Sequence, residues 1–226
     1  MRFVSLETSS EWCSIALWRD GEISAIEVRA PNSHGEVALP MLERLLAAAS
    51  MTPRDVDAVA FGAGPGSFTG LRIACGLAQG IAWARGLPVL GVSTLEALAE
   101  DSGASRVIAC VDARMREVYY SALVREAGVW REAVAPLCVA PQSVPAPQGG
   151  GWLGCGSGFA VHGPALEGAL QGHLKAIDVN ARPGAVAVAR LAAPRLAAGQ
   201  GVDASQAAPA YVRDKVAYTE LERAAR

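Results

Sequence analysis

Two carboxylates stand out by position. Glu7 and Asp112 each close an apolar run that opens on an arginine, RFVSLE and RVIACVD, and each is followed by a polar turn. Carboxylates facing one another across a cleft suit metal binding or general-base work. Taken singly, an acid at a strand end is bonded to the amides of its own turn, and that reading stands beside the first. Ser67 and Ser157 lie in glycine turns, while Arg114 and Arg116 follow Asp112, where they either face a cleft or are solvated. His34, His162 and His173 are isolated, with neither H-x-x-x-H nor H-E-x-x-H spacing to hold a metal. A hydrolase would have to recruit one of these histidines, and Gly66-Ser67-Phe68 is not the G-x-S-x-G elbow. The residues supply no complete catalytic set.

The elements that must position them are organised around residues 62–86, GAGPGSFTGLRIACGLAQGIAWARG. Residues 56–61 read as a buried strand, 62–70 as a glycine loop, and the stretch after Gly70 as a helix. Strand, glycine loop and helix in that order present backbone N–H groups to an anion. Here no lysine follows the glycines and Pro65 removes a donor, so Ser67, Glu7, Asp112 and Arg114 are weak candidates for a cofactor site, and no cofactor is expected. The helix carries Gly76 and Gly80 among Ala74, Ala78, Ala82 and Ala84. Each interior glycine costs roughly 0.5–1 kcal/mol relative to alanine, so close approach of another element should offset it. The favoured reading is tight packing on this chain's own sheet; the alternative is a helix–helix contact between chains. With Arg72 and Arg85 at its ends, the helix is too short and too charged to span a bilayer.

The 226 residues allow one large domain or two small ones, and 51% hydrophobic against 19% charged residues describes a compact globular chain. A formal charge of −2 argues against gripping nucleic acid by its own field. Five scattered cysteines read mostly as buried free thiols of a reducing compartment. With no signal peptide and no apolar span evident, the expectation is a soluble cytoplasmic protein. In order, residues 2–7, 12–19 and 22–29 read as hairpin strands turning at Asp20-Gly21. Ser33 and Glu36 have capping-box spacing before a helix over residues 36–49, with a kink or later start expected at Pro40. A strand over 88–92 and a short helix over 94–100 complete a βββαβαβα order. Residues 106–124 then repeat the layout of 2–18, placing Glu7 and Asp112 at equivalent points. Beyond a Pro/Gly-rich linker over 140–151, a strand runs into a glycine turn at 152–158 and helices are expected near 160–171 and 185–198. The chain ends on PAYVR and a charged tail over 214–226. Two facing α/β lobes are expected, residues 1–103 and 104–226, the last segment returning to the first lobe.

The combination LETSS, GPGSFTGLRIACGLAQG, PVLGVSTLEALA, VDARMREVYY and PAYVR resembles the bacterial TsaB (YeaZ-like) family over nearly the whole chain. The resemblance implies a two-lobed actin/sugar-kinase-like (ASKHA) α/β fold, each lobe a mixed sheet with flanking helices from a duplicated ββαβα-type unit. It also implies a non-catalytic partner of a TsaD-like catalytic subunit. With a TsaE-like ATPase, that assembly transfers a threonylcarbamoyl group to the adenosine beside the anticodon of tRNAs reading A-starting codons. tRNA would be met only through the complex, no membrane is involved, and a homodimer through the same helices is allowed. The implied interface is Leu42, Leu45, Leu46, Arg72, Ile73, Gly76, Leu77, Gly80 and Trp83. TsaD-like proteins hold their metal with an H-x-E-x-H segment, and here Thr94 and Leu98 stand at the histidine positions with only Glu96 kept, so neither metal nor own catalysis is expected. The alternative is an independent nucleotide-dependent enzyme of the ASKHA type or a glycoprotease-like peptidase.

Overall fold

The computed structural model describes residues 1–213, so the charged tail lies outside the described residues. Strands β1 (Arg2–Glu7), β2 (Trp12–Arg19) and β3 (Glu22–Arg29) form an antiparallel meander, with Asp20 and Gly21 turning at φ 51° and 102°. Two strands add in parallel, β4 (Ala58–Gly64) and β5 (Val89–Ser93), giving the order β3-β2-β1-β4-β5. β4 runs further than expected. Gly62 and Gly64 pair with Val92 and Ser93, so much of the anticipated glycine loop is strand. The glycine at 62 is there for close approach, since a Cβ would sit 1.9 Å from Glu7 Oε2.

Helices α1 (His34–Ala48) and α2 (Phe68–Trp83) lie on one face of this sheet. α1 begins before the expected start, and the Ser33 side chain makes no capping bond. The capping box forms instead at Thr52 and Asp55, around a single 3₁₀ turn. α1 also runs through Pro40 as one helix. Pro40 and Glu36 are both exposed, so the carbonyl that loses its donor faces water.

The second sheet repeats the first. β6 (Arg106–Asp112), β7 (Val118–Glu126), β8 (Val129–Val139), β9 (Trp152–Cys155) and β10 (Leu174–Asp178) stand in the order β8-β7-β6-β9-β10. α4 (Ser157–Ala169) joins β9 to β10 as α2 joins β4 to β5. α4 bends at His162 (φ −124°, ψ 23°), two residues before Pro164. β10 was not legible in the sequence, because LKAID is a short edge strand with an irregular register and little apolar patterning.

Two helices lie between the sheets, α3 (Thr94–Asp101) and α5 (Ala185–Ala197). Alternation along the central strands divides the cores: Val4 and Leu6 of β1 face α1 and α2, while Phe3 faces the middle layer. On β6, Val107 and Ala109 face that layer, and Ile108 and Cys110 face α4. Each half lends its last helix across the middle, α3 packing on β6 and β7, and α5 on β1, β2 and β4. Buried hydrogen bonds pin the start of α5, Ser5 Oγ donating to Ala185 O (2.7 Å) and Ala185 N donating to Ser14 Oγ (3.0 Å). Past α5, Val202 bridges to Val89 and Ala210 N donates to Ala63 O. All five cysteines are free, and no helix among the described residues is long and apolar enough to cross a membrane.

Several positions of the middle layer are filled by fully buried alanines. Ala192→Leu, at a fully buried position of α5, is expected to destabilise the chain by about 1–3 kcal/mol. Ala197→Leu at the exposed end of the same helix should change little, and urea unfolding of both variants measures the contrast.

Candidate functional site

Each strand-end carboxylate accepts a hydrogen bond from an amide of its own turn, and the two share no partner. Glu7 Oε1 accepts from Ser9 N (2.7 Å), and Asp112 Oδ1 accepts from Arg114 N (3.1 Å), the same two-residue reach in both halves. The turn-amide reading of each acid is the one the geometry supports. Glu7 is fully buried, and burial pushes its carboxyl up, while the backbone amides of Ser9 and Thr8 pull the other way. Its Oε2 and Thr94 Oγ1 are both buried without a hydrogen-bond partner. Burial and the Glu7 charge push the Cys13 thiol up to about 11.

Asp112 is more open. Its carboxylate lies 3.4 Å from the Arg114 guanidinium and 3.3 Å from His162 Nε2, and its amide donates to Ser157 Oγ. Arg114, Met115 and Arg116 follow at φ 61°, 54° and 61°. Three L-residues in the left-handed region cost roughly 1–2 kcal/mol each, so neighbours must hold this turn. Arg213 is one such neighbour, donating to Ala113 O (3.0 Å) and Glu117 (2.7 Å). His162 and Arg213 are the site residues that sequence reasoning passed over. Each is far from Asp112 along the chain, and only the closing PAYVR motif hinted at Arg213.

Ser67 is structural. Its hydroxyl accepts from Gly70 N as the cap of α2, and its amide donates to Ser9 O (2.8 Å). On α3, Thr94 faces Glu7, Leu98 is wholly buried in the middle layer, and Glu96 is ion-paired with Arg195 of α5. Concavities of about 310 and 480 Å³ flank Trp130, away from both strand-end acids. Glu96 and Glu100 there are already paired with Arg195 and Arg125.

The face of α2 settles the question of its glycines. A Cβ at Gly76 or Gly80 meets nothing within 4 Å, and both residues are exposed, so packing on the chain's own sheet is not why they are there. Leu71, Ala74, Cys75, Ala78 and Ala82 make that packing on the opposite side. Along the open face stand Phe68 at 47% exposure, Arg72 with its guanidinium 3.6 Å from the Phe68 ring, and Trp83 at 67%. Ile73 and Leu77 are half-buried beside it. Leu42, Leu45 and Leu46 do not belong to this surface. They are 2%, 4% and 2% exposed, because their stripe of α1 is the one that covers the first sheet.

The tRNA threonylcarbamoyladenosine biosynthesis protein TsaB of Escherichia coli K12 is 36% identical over 229 residues, covering 98% of both chains. The chain belongs to the TsaB family. The TsaB of Haemophilus influenzae is 35% identical over 98% of this chain and 97% of its own. Residues 28–219 match the family model described as TsaD: tRNA N6-adenosine threonylcarbamoyltransferase. YeaZ from Pseudomonas aeruginosa superposes with a TM-score of 0.86 at 38% identity, over 93% of this chain and 99% of that one. The two five-stranded sheets with flanking helices are the two-lobed ASKHA fold of this TsaB member.

Two consequences are measurable. Because Gly76 and Gly80 are open, Gly76→Leu or Gly80→Leu should leave the monomer folded and raise its stability by about 0.5–1 kcal/mol through helix propensity, read by thermal unfolding. Because the folded carboxyl of Glu7 titrates above its unfolded value, the stability it contributes is present at low pH and is lost as pH rises through the folded value. Glu7→Gln, which keeps an acceptor for Ser9 and offers a donor toward Thr94, should therefore gain on the native chain as pH rises. Denaturant unfolding at pH 5 and pH 8 reads that gap; a gap that shrinks with pH contradicts the assignment.

Proposed function

We propose that this TsaB-family chain serves tRNA threonylcarbamoyladenosine biosynthesis as a non-catalytic scaffold. It would dock a TsaD-like catalytic subunit on the exposed face of α2, with a TsaE-like ATPase and tRNA joining through that complex. One observation carries the reading: α2 bears two interior glycines whose Cβ positions are open, between a half-exposed Phe68 and a mostly exposed Trp83. Bare backbone flanked by aromatic anchors suits the close approach of a second helix, and aromatic side chains at such contacts carry much of the binding energy. Arg72, held over Phe68, adds a charge to the rim. A second copy of this chain would use the same face in a two-fold contact.

The scaffold reading also fits the side chains at 94 and 98. A threonine and a buried leucine offer no imidazole, and a lone Glu96 already paired with Arg195 makes a poor transition-metal ligand set. The runner-up, an independent nucleotide-dependent enzyme or peptidase, would need acids that act together, whereas Glu7 and Asp112 are each tied to their own turn.

The test mixes the full chain with a TsaD-like protein. Gly80→Leu should abolish co-elution and Trp83→Ala should weaken binding by more than about 2 kcal/mol. Both should reduce threonylcarbamoyl transfer to tRNA by the reconstituted mixture, while the isolated chain hydrolyses neither ATP nor peptides. A Gly80→Leu chain that co-elutes unchanged would sink the docking face.

A further inference from the structure

Residues 209–213, the PAYVR stretch, connect the two lobes. At one end Ala210 N donates to Ala63 O (2.8 Å) at the end of β4, and the Tyr211 ring lies 6.1 Å from that of Phe68 on α2. At the other end Arg213 donates to Ala113 O and Glu117, lies 3.8 Å from the Met115 sulfur, and stands 5.8 Å over the Tyr119 ring. All four of those groups belong to the β6–β7 turn or to β7 beside it. Arg213 therefore grips both sides of the turn whose three central residues sit at positive φ. Its Glu117 partner is 19% exposed and its own side chain 14%, which makes this the less solvated of the arginine pairs with an acid around the turn; Arg114 is 84% exposed.

Phe68 belongs to two assemblies at once. Arg72 covers it on the open face of α2, and Tyr211 meets it from the C-terminal segment. Phe68 and Tyr211 are each about half exposed, 47% and 52%, so a helix laid along the α2 face would bury more of both. We propose that residues 209–213 are a clasp that couples the α2 docking face to the β6–β7 turn, so that docking on α2 tightens the turn that carries Asp112 and Arg114. The regulation rests on the docking reading given above, while the clasp itself is intramolecular. Two sites coupled through one element affect each other reciprocally. Loosening the clasp at Arg213, whose hydrogen bonds and ring contact fall on the β6–β7 turn and β7, should weaken the partner's grip on α2.

Hydrogen exchange and affinity measurements on the full chain test this. The turn amides Ala113 N and Glu117 N are hydrogen-bonded, to Glu117 O and Arg114 O at 3.0 Å each, so their exchange reports on turn opening. In the free chain Tyr211→Ala, a change at the α2 end, should speed exchange of residues 113–117 by about fivefold or more. In the complex the same amides should slow by a similar factor, and Arg213→Ala should raise the Kd for the TsaD-like protein about fivefold or more. Arg213→Lys keeps the charge without the two-pronged donor and should fall between. Unchanged exchange at 113–117 in Tyr211→Ala overturns the clasp. Unchanged affinity of a folded Arg213→Ala chain overturns the coupling. Should Arg213→Ala not fold, the Tyr211→Ala arm decides. If Gly80→Leu binds the partner normally, the docking reading has failed, and the free-chain exchange still judges the clasp.

Discussion

Everything in this molecule depends on two sheets closing on one shared layer of helices. A five-stranded sheet in the middle of a fold must bury both faces, and here each inner face is covered by helices that the other half helps to provide. The layer is thin because its helices are built from small residues: Ala97 and Ala99 on α3, and Ala187, Ala189 and Ala192 on α5, are fully buried. Larger side chains, Leu95, Leu98 and Val188, fill the remaining gaps. The two hydroxyls of Ser5 and Ser14 satisfy the Ala185 backbone where α5 enters, so the polar ends of the layer are paired as well.

That layer decides the chemistry available at the end of β5. The first turn of α3 meets Glu7, and its next turn is committed to the core through Leu98. Glu96 is turned toward α5 and held by Arg195. Thr94, Glu96 and Leu98 thus go to a neighbour of Glu7, an ion pair and the core respectively. The strand-end acids follow the same logic in two environments. The first is sealed under Gly62, and the second sits beside His162 and an exposed arginine. The buried thiols fit this picture, since burial pushes Cys155 up to about 12 and Cys110 higher still, leaving them unreactive.

α2 is the complement of that closed interior. One side completes the outer core of the first sheet, and the other exposes backbone at Gly76 and Gly80 between two aromatic rings. The same helix is touched by the C-terminal segment at Phe68, so the outer face of one lobe and the turn of the other lie within a few residues of chain.

Local physics made much of this legible from the sequence. Alternating apolar runs and an Asp-Gly turn sufficed for β1 to β3, a glycine-bearing helical period for α2, and the matched RFVSLE and RVIACVD segments for the duplication of the sheets. What the sequence left open was always a matter of what stands opposite. The period of α1 marks Leu42, Leu45 and Leu46 as a buried stripe, yet period alone cannot say whether a sheet or a partner buries it, and the sheet does. The glycines of α2 announced a cost whose reason lay outside the helix, and only the packed chain shows that nothing of its own fills the space. Ser33 had the spacing of a cap and made none, while Thr52 did. His162 and Arg213 reach the Asp112 turn from distant segments. Propensity and period act over a few residues and are written in the chain; which surfaces meet is settled by long-range closure, and that is decided only when both sheets have found their shared layer.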